Sequence, residues 1–138
     1  PLKPLTDSNL RQSIIGINPN WLTKPVLGEI FKDVVNISRS ARAYGSAALE
    51  IVSVATGNLE AYMTPRLQPW DFAGGLVILN EVDGLASNLL GEPLTISGPN
   101  SILVGNRGVH REILGVYLEP HRDALIQLHE QRFKRKSK

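Results

Sequence analysis

Short apolar runs alternate with amphipathic stretches along this chain, and that alternation constrains the fold more than any other feature. SIIGI at 13–17 reads as a buried strand. NPNWLTKP then gives turn signals, with Thr23 the expected cap and Pro25 in a first helical turn. Val26, Leu27, Ile30, Phe31 and Val34 follow at helical spacing. VNISRSAR at 35–42 reads as a second strand entering a loop, and GSAALEIVSVATGN at 45–58 as a small-residue helix capped by Ser46 and closed by Gly57 and Asn58. LEAYM at 59–63 reads as a third strand and TPRLQP as a loop. A helix is expected from Trp70–Asp71 to Glu81. SILVG at 101–105 reads as another buried strand, and 107–133 as mostly helix with a break near Pro120. Strands alternating with helices specify a layered α/β fold, expected here as one domain over 1–138.

Composition excludes several classes. No apolar run reaches the roughly 18 residues of a membrane span. No cysteine is present, so disulfides and thiolate zinc sites are ruled out, and a cytoplasmic location is expected. Of 15 Lys and Arg and 13 Asp and Glu, six and two fall in the last 18 residues, so the body is slightly acidic and the end basic. A nucleic-acid binder carries its positive charge on a folded face. This charge reads instead as a solvated helix end with a disordered tail at 134–138, and neither nucleic acid nor membrane is expected as a partner. The opening PLKPLTDSNL has no initiator methionine and resembles a mid-protein loop, so a fragment is expected.

Gly74 and Gly75 sit inside an apolar helix, where each costs roughly 1 kcal/mol relative to alanine. Close approach of a backbone or ligand is the usual reason for such glycines. Asp71, at the start of that helix, has two readings: an ordinary cap, or a ligand for a hard cation. GSAA at 45–48 places free N–H groups at a loop-to-helix junction, which suits an anion or hydroxyl, or simply a capped helix packed closely on a sheet. His110, His121 and His129 read as surface residues. Trp70, Phe72, Leu76 and Ile78 read as core.

Several of these stretches together resemble the inositol monophosphatase family of magnesium-dependent, lithium-sensitive phosphomonoesterases. WDFAGG at 70–75 is similar to the family's W-D-x-A-A-G signature. ARAYGSAALEIVSVATGNLEAYM at 41–63 resembles its R-x-x-G-S-A-A-L…V-A-x-G-x-x-D-A-Y segment, and ILVGNRGVHREIL at 102–114 the approach to its last helix. The resemblance covers about 13–114. It implies the C-terminal half of a five-layered αβαβα fold, a magnesium cofactor, a small phosphorylated polyol or sugar as substrate, and a homodimer. Asp71 matches a metal ligand. Gly45, Ser46 and Ala47 match positions lining the substrate ring, and Arg42 matches an arginine that helps order the site.

The departures are equally informative. The family's N-terminal G-E-E and D-P-[IL]-D-G-T motifs, which hold its other metal ligands, do not occur here, so this chain alone is expected to be inactive. The family's substrate-contacting glutamate, seven residues before the metal-binding aspartate, is Thr64. Arg66 beside it suits a second anionic group, as in a sugar bisphosphate or a nucleotide phosphate. A non-catalytic binding or dimerisation module is the remaining alternative.

Overall fold

Five strands form one mixed sheet in the order β2-β1-β3-β5-β4: β1 (Ile14–Gly16), β2 (Ser40–Arg42), β3 (Ala61–Leu67), β4 (Leu85–Ser87) and β5 (Asn100–Gly105). The computed structural model of the chain describes residues 3–95 and 97–136. β1 runs parallel to both β2 and β3, whereas β5 is antiparallel to β3 and β4. The helices are α1 (Pro25–Ile37), α2 (Ala47–Ala55), α3 (Pro69–Glu81), α4 (Arg107–Glu112) and α5 (Arg122–Lys136). A π turn over Ile113–Leu118 and a 3-10 turn over Glu119–His121 join the last two, which places the expected irregularity around Pro120.

Side-chain alternation along the strands divides the core in two. Met63 and Leu103 point into one cluster with Ile15, Phe31, Val34, Val109, Ile113 and Leu125. Tyr62, Ile102 and Val104 point into the other, with Ile51, Val54, Phe72 and Leu79. The first face is covered by α1, α4 and α5, the second by α2 and α3. The chain therefore crosses from β1 to β2 over one face and from β2 to β3 over the other. In such sheets the crevice beyond the carboxyl ends of the parallel strands is the usual ligand position.

Four expectations change. The strand expected over 35–42 shrinks to Ser40–Arg42, because α1 continues to Ile37 and keeps Val34 fully buried. The loop expected at TPRLQP is largely strand: β3 runs through Pro65 to Leu67, and its pairing with β5 shifts register between Thr64 and Leu67. A proline withholds a ladder donor, so an irregularity is its natural place. Thr23 lies in a 3-10 turn, Pro19–Thr23, and its hydroxyl donates to the Asn20 carbonyl rather than capping α1. Trp70 is 78% exposed and not core, although Phe72 on the same helix is fully buried. At the chain's end, the backbone is helical through Lys136, and residues 137 and 138 of the expected tail lie outside the described residues.

Candidate functional site

The two loops that follow β2 and β3 each lead into the amino end of a helix, and the candidate residues lie there. Gly45 adopts a positive φ of 78° ahead of α2, a backbone shape that glycine takes without strain. Ser46 is the N-cap of α2, accepting from the Leu49 N–H at 3.4 Å, and Ala47 is the first helical residue. The expected left-handed closure of α2 is present at Gly57 (82°), and Asp83, beyond α3, also has a positive φ (62°).

Asp71 is the third residue of α3 and half-buried. Its Oδ2 accepts the Gln68 N–H at 3.2 Å, the carboxylate half of a capping box, and the Asp71 N–H donates to the Gln68 backbone carbonyl at 2.9 Å. The cap itself is Gln68. Capping occupies one named oxygen of a carboxylate that has two, so the structural role does not exhaust the group.

Thr64 is buried, with its hydroxyl bonded to the Tyr62 phenol two residues back on the same face of β3. Tyr62 is pushed well above the usual phenol range, first by burial, then by the negative charge of Glu50, with Asp71 adding to it and the Thr64 hydrogen bond opposing it. Glu50, one turn into α2, is buried, and desolvation raises its carboxyl while a bond from the Tyr44 backbone N–H pulls it back. Sequence reading missed Glu50 and Tyr62. A signal existed for the first: Glu50 is the lone charged residue in the helix AALEIVSVA.

Arg42 is the last residue of β2, ahead of the turn at Gly45. Its Nη1 donates to Ser40 Oγ at 2.6 Å, and the side chain lines an open groove of about 650 Å³ with Ile14, Tyr44, Leu49, Ser53 and Asn58, along the outer side of α2.

Of the two glycines of α3, one is explained by close packing within this chain. A Cβ on Gly75 would sit 2.5 Å from Ile51 Cγ2, so this glycine lets α3 lie against α2. A Cβ on Gly74 would meet nothing within 4 Å.

The histidines also depart from expectation. His110 is buried, and its Nε2 meets Ser87 Oγ at 2.9 Å. The Ser87 hydroxyl donates to the Asn88 carbonyl, so His110 is the donor in that pair and carries its proton on Nε2. Burial lowers it to about 4, with the Arg111 charge adding to the shift. His129 Nδ1 donates to the Leu125 carbonyl at 2.7 Å, leaving Nε2 to accept from Ser101 Oγ at 2.8 Å. Both fasten helices to the sheet.

Magnesium commonly binds through one or two carboxylates, waters and substrate phosphate. Among the described residues no three Asp, Glu or His side chains converge on a metal position. The donor set here fits one wall of such a site, Asp71, and not a complete one.

Comparison with known proteins follows the same lines. A model of the inositol monophosphatase family matches residues 7–123. The inositol-1-monophosphatase of Bacillus subtilis (strain 168) is 41% identical over 119 residues, covering 85% of this chain and 45% of that protein. SaIMPase-II is 89% identical. Its crystal structure with inositol monophosphate bound superposes with a TM-score of 0.95, covering 96% of this chain and 52% of that one. Its structure with 2'AMP bound gives 0.94, with 96% and 51% covered. The chain thus spans about half the length of the proteins it matches.

Proposed function

The chain belongs to the inositol monophosphatase family, and we propose that it is the C-terminal half of a magnesium-dependent phosphomonoesterase acting on small phosphorylated polyols or sugars. The observation that carries this reading is the pairing of two helix amino ends on one face of the sheet, one presenting Gly45–Ala47 and the other Asp71. The start of α2 offers backbone N–H groups to substrate hydroxyls or phosphate, favoured by the helix dipole. Asp71 would be the ligand this half contributes, and the metal, once bound, would polarise the phosphoryl group and lower the pKa of an attacking water. With a single carboxylate at the site, this chain by itself would not turn over substrate. The whole protein would be a cytoplasmic homodimer.

The decisive experiment is Asp71→Asn in the protein that carries this chain. Half-maximal turnover is expected to need on the order of tenfold more magnesium, or beyond, since even the outer partners of metal ligands are worth that much. Unchanged magnesium dependence would remove Asp71 from the metal site.

A second reading concerns substrate. Thr64 stands in place of the family's glutamate, and Arg66 is exposed on the same strand. Loss of the glutamate weighs against inositol, and Arg66 favours a substrate with a second anionic group, such as a sugar bisphosphate or nucleotide phosphate. The 89%-identical SaIMPase-II has been crystallised both with inositol monophosphate and with 2'AMP, each of which carries a single phosphate. Phosphate release from a panel of monophosphates and bisphosphates separates the two. Absence of release from every member, with the complete protein and magnesium, would favour a non-catalytic module.

A further inference from the structure

Beneath the loop that leads into α2 lies a carboxyl group with no counterpart in the reading above. Glu50 is only 5% exposed, and its Oε1 has no hydrogen-bond partner among the described residues. Burying a carboxyl oxygen without a hydrogen-bond partner disfavours the folded state. The fold makes room for it deliberately. Gly16, at the end of β1, pairs with Arg42 on one side and Tyr62 on the other, and a Cβ there would come within 3.0 Å of Glu50 Oε1 and 3.1 Å of the Tyr62 ring.

Glu50 also stands in a fixed relation to the loop. Its own N–H donates to the Ser46 carbonyl at 3.0 Å, the first helical bond of α2. Its side chain runs back toward the helix start, as helical side chains do, which brings the carboxyl beside the Tyr44 backbone N–H, whose influence favours the ionised form. One residue thus grips both ends of the turn Tyr44–Gly45–Ser46, by backbone on one side and side chain on the other.

We propose that Glu50 is the positioning residue of the candidate site: seated over Gly16, its carboxyl holds the turn Tyr44–Gly45–Ser46 in the shape that presents the start of α2 to substrate. Gly45 itself has no side chain with which to anchor its left-handed turn. The effect on substrate rests on the phosphatase reading, whereas the grip on the turn does not.

The test therefore has two arms. In this chain, amide hydrogen exchange is compared between the parent and Glu50→Leu and Glu50→Gln variants. Glu50→Leu is expected to speed exchange at Tyr44 and Gly45 by about tenfold or more, relative to α1 and α5. Glu50→Gln retains an acceptor and is expected to stay within about threefold of the parent. If Glu50→Leu does not fold, Gly16→Ala displaces the carboxyl and supplies the same comparison. Unchanged exchange at the turn, or an equal rise throughout the molecule, overturns the proposal. In the protein that carries this chain, Glu50→Leu is expected to raise KM about tenfold with kcat nearly kept, and Glu50→Gln to restore it. A fall in kcat with KM unchanged overturns the positioning role. A parent protein without any phosphatase activity overturns the functional reading alone, and exchange still decides the role of Glu50.

Discussion

The two faces of the sheet are built to different standards. The face under α1, α4 and α5 closes over its core: Phe31, Val34, Ile113 and Leu125 are at most 1% exposed, and its buried histidine bonds Ser87 through Nε2 while its Nδ1 has no partner among the described residues. The face under α2 and α3 has an equally buried centre in Phe72 and Ile51, yet its outer surface leaves Leu49 at 59%, Trp70 at 78% and Val77 at 63% exposed. It also carries Glu50, Tyr62 and Asp71. Apolar burial without charge is what stabilises a fold, and strained or charged groups gather where chemistry occurs. One face holds the domain together and the other holds the groups available for function.

The sharpest way to break this contrast is to remove one large side chain from each face. Phe31→Ala is expected to cost about 3–5 kcal/mol in urea unfolding, because it deletes a fully buried ring and leaves a cavity. Leu49→Ala, on the outer side of α2, is expected to stay within about 0.5 kcal/mol of the parent. Similar costs for both would erase the distinction.

The same contrast governs what was readable from the sequence. Phe31 was legible because Leu27, Ile30, Phe31 and Val34 repeat at a period that only a helix matches. The end of that helix was not, since Val34, Val35 and Ile37 are β-branched and carry strand preference, which burial of Val34 overrides. Pro65 disguised the length of β3 for the same reason: a rule about ladder donors yields locally to a register shift. At the site, the cap at Ser46 and the left-handed glycines follow from residue chemistry and were readable. Asp71 stayed divided between cap and ligand, and the structure shows why, since one of its oxygens caps α3. Glu50 was visible only as a charge out of place. Its meaning depends on Gly16, a residue 34 positions away that the sequence does not link to it.

A smaller effect tests the closed face through pH. His110 has a folded value of about 4 against an ordinary 6.5, so the unfolded chain takes up a proton before the folded one does. Its contribution is complete above about pH 6.5 and declines as pH falls toward 4. At about 1.4 kcal/mol per unit, the loss between pH 6.5 and pH 5 is about 2 kcal/mol. Urea unfolding of parent and His110→Gln at pH 7.5 and pH 5 measures it, and the variant is expected to show a flatter dependence. An identical slope in both would mean that the buried imidazole is not the group being titrated.

The smallest effects concern the two glycines of α3, and they bear most directly on the open face. Gly75→Ala would drive a methyl to 2.5 Å from Ile51, an overpacking expected to cost about 1–3 kcal/mol despite the better helix former. Gly74→Ala meets no atom within 4 Å and is expected to stabilise this chain by about 0.5–1 kcal/mol, measured by the same unfolding experiment. A glycine whose replacement improves the domain is kept for a reason outside it. Gly74 lies three residues beyond Asp71, so the space above it borders the candidate metal ligand. In the complete protein, Gly74→Ala is therefore expected to lower turnover while raising stability, the usual opposition between a rigid helix and a site that needs room. Turnover equal to the parent would show that the vacancy over Gly74 serves nothing at Asp71, and only Gly75, through its contact with Ile51, would then have a structural cause for interrupting this helix.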